Sequence, residues 1–525
     1  MGACDDGSST PSTDGGGGDA ITSDAGGGSD AGPIGDAEIR EDGSATDGGT
    51  PMVDSGTPAP AATSICNGDG TCDRGETCGS CASDCGSCDV AELTGRRDKF
   101  VDEGCEHMGD GLSDECAAST GAPGRFNELQ TALESLEAGD TLHLHPGDYF
   151  RDVEGRDSGG IYTMEASGTA ERPIVITAAD RSTMPTIHSC DPSEPSHCPM
   201  PALAVYGDHA IVDHLAIRGR VQVWGATASV MQYLECTHGW GACGDGNWSC
   251  LRIESCTDCI AHHNYVHDIA GDGFGGACPP GVSTDFPDRG AGLKEFQSEG
   301  TIWEFNTVTR APRWAYDLHR NSENTTLRFN DFAAFPGDAI RIHRTRNVFL
   351  YGNVMVARDA EPGTCINVWG RNERVEAEPH VAEVHHNTCV GANTGISVQG
   401  EVPSLVHDNV VQGLRSGAED PRNVVVASDA SELSNNAYDS AGNYRRITYE
   451  DSTWSESLAE WQSREGWDAE SVETEGGSCA FTMPPSGDGE PYDVRASGGV
   501  CATLARDGGE VGAFGVTDCV GHRCP

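Results

Sequence analysis

Residues 326–332 read TLRFNDF. Polar and apolar residues alternate through Phe329, the period of a strand rather than a helix. Asn330 and Asp331 then interrupt, and the apolar Phe332 resumes. Seven other segments repeat this word: IVDHLAI (211–217), VMQYLEC (230–236), IAHHNYV (260–266), TIWEFNTV (301–308), FLYGNVM (349–355), EVHHNTC (383–389) and LVHDNVV (405–411). The interrupting position holds Leu215, Leu234, Asn264, Asn306, Asn330, Asn353, Asn387 and Asn409. The spacings are 19, 30, 42, 24, 23, 34 and 22 residues, a basic period of about 22–24 with the longer gaps carrying inserted loops.

A second short strand precedes each later rung: GLKEF (292–296), YDLHR (316–320), AIRIH (339–343), CINVW (365–369) and GISVQ (395–399). Self-similar short strands at a fixed period imply a solenoid. Leucine-rich repeats share the period, but their leucine pattern is absent. The expected fold is therefore all-β, a right-handed parallel β-helix. Eight to eleven coils at a strand spacing of about 4.8 Å would span roughly 40–50 Å. Alternation sends one set of side chains inward and the other outward. The repeated Asn predicts a ladder, its amide bonded to the Asn one coil away and its own backbone left-handed. RFNELQTALESL (125–136) predicts an amphipathic helix with Phe126, Leu129, Leu133 and Leu136 on one face. Asn127 and Gln130 would form its capping box, and the helix would cover the open end of the solenoid.

Three stretches between about residues 124 and 516 resemble right-handed parallel β-helix proteins of the pectate-lyase-like superfamily. They are the entry AGDTLHLHPGDYF (138–150) with SGTAERPIVITAAD (167–180), the N-x-apolar rungs, and the exit SLAEWQSREGWDAESV (457–472), YDVRASGG (492–499) and GEVGAFG (509–515). The resemblance specifies the fold and no single activity.

Outside the solenoid the composition changes. Residues 1–63 are mostly Gly, Asp, Ser, Thr, Ala and Pro, with no aromatic before Phe100. Such a segment lacks the apolar surface to fold and reads as a disordered tether. Residues 64–90 hold six cysteines and read as a small disulfide-stapled module, similar to Cys-rich modules of secreted bacterial proteins. Asn67, Asp69 and Asp73 offer oxygen ligands for Ca²⁺, but the EF-hand pattern lacks its final glutamate. The β-helix follows over 91–445, with a C-terminal extension and cap over 446–525.

The chain has 525 residues and a net charge of −50, with 17 acids against 2 bases in residues 1–90. That surface disfavours nucleic acid and anionic membranes as partners. Of 23 cysteines, 22 fall into local even-numbered groups and Cys4 is left over. Such numbers imply disulfides and an oxidising compartment. Cys256-Thr-Asp-Cys259 has zinc-ligand spacing, but no second ligand pair completes a set. The opening MGACDDGSS resembles the end of a bacterial lipoprotein signal, which implies lipidation at Cys4 and a monomer anchored at the cell surface. The membrane would be met only through that lipid.

Residues 285–346 carry nine bases and nine acids, a relative positive patch in this chain. Aligning Leu318 with Ile342 stacks His319 on His343 and Arg320 on Arg344, with Lys294 one coil earlier. Lys294, Asp317, His319, Arg320, Arg341, His343 and Arg344 would then share one outer face. Uronic-acid chemistry needs such a set: a cation or Ca²⁺ on the carboxylate, a base for the C5 proton and a donor for the leaving oxygen. WAYDLH (314–319) resembles the Y-G-x-D-P-H stretch of alginate C5-epimerases, matching at Asp317 and His319. Trp314 and Leu318 stand where Tyr and Pro belong, and Tyr316 is close by. GLKEFQSEGTIWEFN (292–306) resembles the lysine rung of the chondroitinase B and alginate lyase family, with Lys294 in the lysine's place. RAPR (310–313) is a fragment of the pectate lyase R-x-P-x-x-R with Ala315 at the last Arg. GDAIRIH (337–343) resembles the polygalacturonase Asp-Asp rung with Ala339 at its second Asp. Trp240, Trp248 and Phe274 lie on the Cys-rich insertion before Lys294 and are candidates to stack on sugar faces. The expected partner is an acidic polysaccharide, and the rival expectation is a non-catalytic adhesion or envelope module.

Overall fold

The computed structural model describes residues 77–78, 81–85, 88–90, 93, 95–151, 161–189, 201–237, 248–269, 290–311, 313–319, 321–335, 337–343, 345–357, 363–370, 382–400, 404–415, 421–427, 431–447, 452–474, 479–483, 493–505 and 512–513. Arg320, Arg344, Trp240, Phe274, Cys4 and the Asn67, Asp69 and Asp73 group lie outside them.

Among the described residues, three sheets of 12 strands each run along the body, and the chain visits them in turn. Sheet A holds the strand of each rung before the interruption, such as Ile302–Glu304 and Glu323–Arg328. Sheet B holds the strand after it, such as Thr307–Thr309 and Asp331–Ala333. Sheet C holds the intervening strands, among them Gly290–Phe296, Trp314–His319 and Ile340–His343. Every pairing within the coils is parallel, so each turn stacks on the one before: a parallel β-helix. Asn443–Ile447 and Ser452–Ser455 close the C-terminal edge of sheet C as an antiparallel pair.

Period-two alternation fills the interior. Leu251, Leu293, Tyr316, Ile340, Ile366, Ile396 and Val424 are register partners in one inward line of sheet C. Trp303, Leu327, Leu350, Val384 and Val406 form the line facing it from sheet A. All are buried. Packing of these β-branched and aromatic stacks supplies the main stabilisation.

The asparagine ladder is continuous. Each Nδ2 donates to the Oδ1 one coil on: Asn264 to Asn306 at 2.8 Å, Asn306 to Asn330 and Asn330 to Asn353 at 3.0 Å, and onward to Asn387, Asn409 and Asn436. Each Oδ1 also accepts the backbone N–H of the preceding rung, so both polar ends of the buried amide are satisfied. The expected left-handed asparagine is corrected. The residue before it takes that conformation: His263, Phe305, Phe329, Gly352, His386, Asp408 and Asn435, at φ between 52° and 67°. The amide must reach inward along the coil axis, so the chain turns one residue earlier. Tyr233, His263, Phe305 and Phe329 stack ring on ring at these corners, with centroids 4.9–5.3 Å apart, and hold an otherwise strained backbone.

Both ends are covered. The helix spans Leu129–Glu134 rather than the whole of 126–136, and its N-cap is Glu128 without a side-chain hydrogen bond. The capping box is therefore not formed. Gln130 instead accepts from the Thr163 N–H at 2.9 Å and donates to the Thr163 carbonyl at 3.1 Å. Thr163 is in the terminal strand of sheet C, so Gln130 satisfies an edge that would otherwise recruit another strand. At the other end the helix Leu458–Glu465 is capped by Ser457 and stopped by Gly466 at φ 72°, and buries Leu458 and Trp461. Asp468 ends the ladder, accepting from Asn436 Nδ2 at 3.2 Å and Tyr438 Oη at 2.9 Å.

Disulfides join Cys78–Cys88, Cys105–Cys116, Cys236–Cys250, Cys256–Cys259, Cys365–Cys389 and Cys479–Cys501. The Cys256–Cys259 bridge removes the zinc reading of that spacing. The Cys-rich segment packs on the outer face of sheet A. Gln232 donates to the Cys88 carbonyl at 3.0 Å, and Thr77 donates to Glu304. Glu304 is held in turn by Arg328 at 2.6 Å, with both side chains almost wholly buried. His262, directly below Cys78, is held neutral by burial, its pKa pushed down to about 3.

Candidate functional site

Two outward columns of sheet C bring together the residues singled out from the sequence. In the first, register pairs Arg252 with Lys294, Lys294 with Asp317, Asp317 with Arg341 and Arg341 with Asn367. In the second, Glu254, Phe296, His319, His343 and Trp369 follow in the same order. Partners in one column sit one strand spacing apart, about 4.8 Å, so Lys294 and Arg341 are separated by roughly 10 Å of backbone.

In the middle of the first column Asp317 lies between two cations. Lys294 Nζ lies 3.0 Å from Asp317 Oδ2, and Arg341 lies 3.9 Å from Asp317 Oδ1. That second separation exceeds a hydrogen bond, and Asp317 Oδ1 is buried without a hydrogen-bond partner among the described residues. Lys294 and Asp317 are 2% and 1% exposed and lie beneath the surface of this face; Arg341, His319 and Asn367 are half-buried and lie nearer solvent. Burial lowers the Lys294 pKa from its ordinary value, Asp317 opposes the shift, and Arg252 and Arg341 reinforce it. Arg252 is paired with Glu254 at 2.7 Å. Asp338, one coil on, accepts from Asn367 at 3.0 Å, and burial raises its pKa.

The second column is a stack of rings. Phe296 and His319 are 5.7 Å apart, His319 and His343 4.9 Å, and His343 and Trp369 4.6 Å. It ends on Trp369, which is 37% exposed. Trp314 lies under two guanidiniums, Arg341 at 4.3 Å and Arg313 at 4.7 Å. This stacking holds the Arg341 guanidinium on the outer face beside Asp317.

Leu318 and Ile342 point inward, and Asp317, His319, Arg341 and His343 point outward. Tyr316 is a correction. It is fully buried inside the coil, where its hydroxyl donates to Glu295 at 3.0 Å, so it cannot line a groove. Glu295 explains why: this interior carboxylate collects the Trp303 indole at 2.8 Å and the Thr325 hydroxyl at 2.7 Å besides Tyr316. Trp248 opens the strand Trp248–Glu254, and its side chain lies outside the described residues. Sequence reasoning missed Arg252, Glu254, Asp338 and Trp369. CLRIESC (250–256) precedes the IAHHNYV rung as GLKEF precedes the next, so the same alignment extended one coil back reaches Arg252.

The carboxylates of the groove are already engaged: Asp317 by Lys294, Glu254 by Arg252 and Asp338 by Asn367. No trio of them converges among the described residues. This donor set does not fit a Ca²⁺ site, which takes six to eight oxygens.

Three parallel sheets, each visited once per turn, make the fold a parallel β-helix. No protein-family model matches the chain, and no curated protein matches it. Among solved structures, the chain is similar to pectate lyase Pel9A at 15% identity, covering 81% of this chain and 98% of that one, with a TM-score of 0.44. An alginate lyase from Paenibacillus sp. str. FPU-7 gives 14% identity, 56% and 94% coverage and a TM-score of 0.41. XylC in complex with xylose gives 8% identity, 74% and 88% coverage and a TM-score of 0.44. Likenesses at these scores carry nothing about activity.

Proposed function

We propose that the outer face of sheet C binds an acidic polysaccharide and removes the C5 proton of a uronic acid unit, leading to cleavage or epimerisation. The observation that carries the reading is the Lys294–Asp317–Arg341 column, buried at Lys294 and Asp317 and flanked by the His319–His343 stack. Arg341, steered by Trp314, offers its guanidinium to the sugar carboxylate and so acidifies C5. Lys294, whose pKa is lowered by burial, takes the C5 proton in its neutral form. For cleavage, the C5–H electron pair becomes the C4–C5 double bond, and the C4–O pair leaves with the oxygen, which takes a proton from His319 or His343. For epimerisation, Lys294 keeps the abstracted proton and His319 or His343 delivers another to the opposite face of C5. Arg320 and Arg344 adjoin this set in sequence and belong to the same proposal, as do Trp240 and Trp248 as sugar-stacking residues.

The disulfides suit an extracellular protein, and no helix among the described residues is long and apolar enough to cross a membrane. We further propose anchoring at the cell surface through a lipid on Cys4, supported by the unpartnered count of cysteines and the acidic tether. Mass spectrometry of the native protein tests this: an unmodified Met1 would sink it.

The burial of both Lys294 and Asp317 favours a second reading, in which the pair is structural and the face only adheres to glycans. A screen against alginate, pectate and chondroitin separates the two. Absorbance of an unsaturated product, or C5 inversion by NMR, supports the enzyme. Binding without turnover on all three supports the adhesive module.

A further inference from the structure

Four coils beyond Arg341, sheet C carries another basic cluster that the proposed chemistry does not use. The outward column continues from Arg341 through Asn367, Ser397 and Val425 to Arg445. At the coil spacing this is about 19 Å further along the axis. Arg445 pairs in register with Trp454 on the closing antiparallel strand. Its guanidinium carbon lies 4.6 Å from the centre of the Trp454 ring, and that of Arg422 lies 5.2 Å from the same ring.

Among the described residues, neither arginine has an ion pair, and the Nε of each is buried without a hydrogen-bond partner. The chain holds 83 acids against 33 bases, so partners are abundant for any arginine that needs one. Arg446, next in sequence, shows the structural arrangement: it pairs with Glu465 and lies 5.3 Å from the Trp467 ring. Arg422 and Arg445 instead sit beside each other. Burial and the neighbouring positive charge of Arg422 both push the Arg445 pKa down, and no carboxylate among the described residues offsets them. Two adjacent half-buried cations gain from an anion that neutralises both. A guanidinium laid over an aromatic ring keeps its N–H fork in plane and free to take an oxyanion in two-pronged fashion.

We propose that Arg422, Arg445 and Trp454 form an oxyanion-binding site that takes the carboxylate or sulfate groups of an anionic glycan. The site stands apart from the chemistry proposed for Lys294. Its place on the same face means that one extended chain can reach both.

The test titrates the full-length protein with oligogalacturonate of about eight units, with chondroitin sulfate oligomers and with inorganic sulfate, by calorimetry. An R422Q/R445Q variant is run beside it, and thermal melting confirms its fold. R445Q alone serves if the double variant does not fold. One charge-assisted contact corresponds to a factor of about ten or more, so at least one probe should bind the wild type and bind the variant at least about tenfold more weakly. A loss with oligogalacturonate alone assigns a carboxylate, with chondroitin sulfate alone a sulfate ester, and with all three any oxyanion. Equal affinity of variant and wild type, or no binding of any probe, overturns the proposal. K294M in the same titrations keeps the two sites distinguishable. If it weakens binding while R422Q/R445Q does not, this inference fails and the Lys294 reading survives. Weaker binding in R422Q/R445Q together with turnover retained in K294M leaves this site standing without it.

Discussion

Replacing Asn330 with Leu should destabilise the middle of the solenoid far more than the same change at Asn264. The Asn330 Oδ1 accepts two bonds, from the Asn306 backbone N–H at 2.9 Å and from Asn306 Nδ2 at 3.0 Å. Its Nδ2 donates to the Trp303 and Arg328 carbonyls, both at 2.9 Å, and to Asn353 Oδ1 at 3.0 Å. Leu can fill the space, as Leu215 and Leu234 do in the first coils, but it leaves two buried donors on Asn306 without an acceptor. At about 1–3 kcal/mol for each orphaned buried group, the expected loss is roughly 2–6 kcal/mol. Asn264 is the first rung of the ladder, and its Oδ1 serves one donor, the Leu234 N–H at 3.0 Å. Asn264→Leu should therefore lose roughly half as much. Nearest-neighbour coupling in a solenoid keeps the damage local. Native-state hydrogen exchange reads it directly: amides of the coils around Phe332 should exchange faster in Asn330→Leu, and those around Val424 should not. A loss under about 1 kcal/mol, or equal losses at the two sites, would refute the ladder as a source of stability.

Other expectations follow from buried charges. Burial raises the Asp468 pKa to about 6, so the folded state holds its proton more tightly than the unfolded chain. Folded protein then binds more protons between the ordinary carboxylate value and about 6, and stability falls as pH rises through that window by on the order of 3 kcal/mol. The stability difference between wild type and Asp468→Asn should vary with pH only there; a flat difference from pH about 3 to 8 would contradict it. Arg328→Met strips Glu304 of its charged partner in a buried site, with an expected loss of about 3–5 kcal/mol. Adding Glu304→Gln should recover much of that in denaturant unfolding, and a double variant as unstable as the single would show the pair is not coupled.

The rungs were legible because a buried period-two pattern punctuated by Asn has few other solutions. The same alternation placed Leu318 and Ile342 inside and Asp317, His319, Arg341 and His343 outside. It failed to use its own parity for Tyr316, which shares the inward side with Leu318 and Ile340. An apolar-in, polar-out rule also gives no hint that Glu295 points inward, because its indole, phenol and hydroxyl donors come from three other strands. The left-handed corner was assigned to Asn on residue preference, whereas the ladder bond fixes Asn and passes the turn to whatever precedes it. Gln130 looked like a helix cap because only its neighbours in sequence were visible; its partner Thr163 lies 33 residues away. Arg422, Arg445 and Trp454 were not legible, since the closing strand runs antiparallel and breaks the repeat on which the alignment depends.

Lys294 is proposed as the base of a uronate-directed reaction, tuned by Asp317 and Arg341. Its most direct test is the pH profile of turnover on the polysaccharide identified by the screen, for wild type, Lys294→Met and Asp317→Asn. Burial already lowers the Lys294 pKa and Asp317 raises it, so removing the Asp317 charge should move the rising limb to lower pH. Lys294→Met should abolish turnover while leaving binding to the groove measurable. Turnover retained in Lys294→Met, or a rising limb that does not move in Asp317→Asn, would contradict the account.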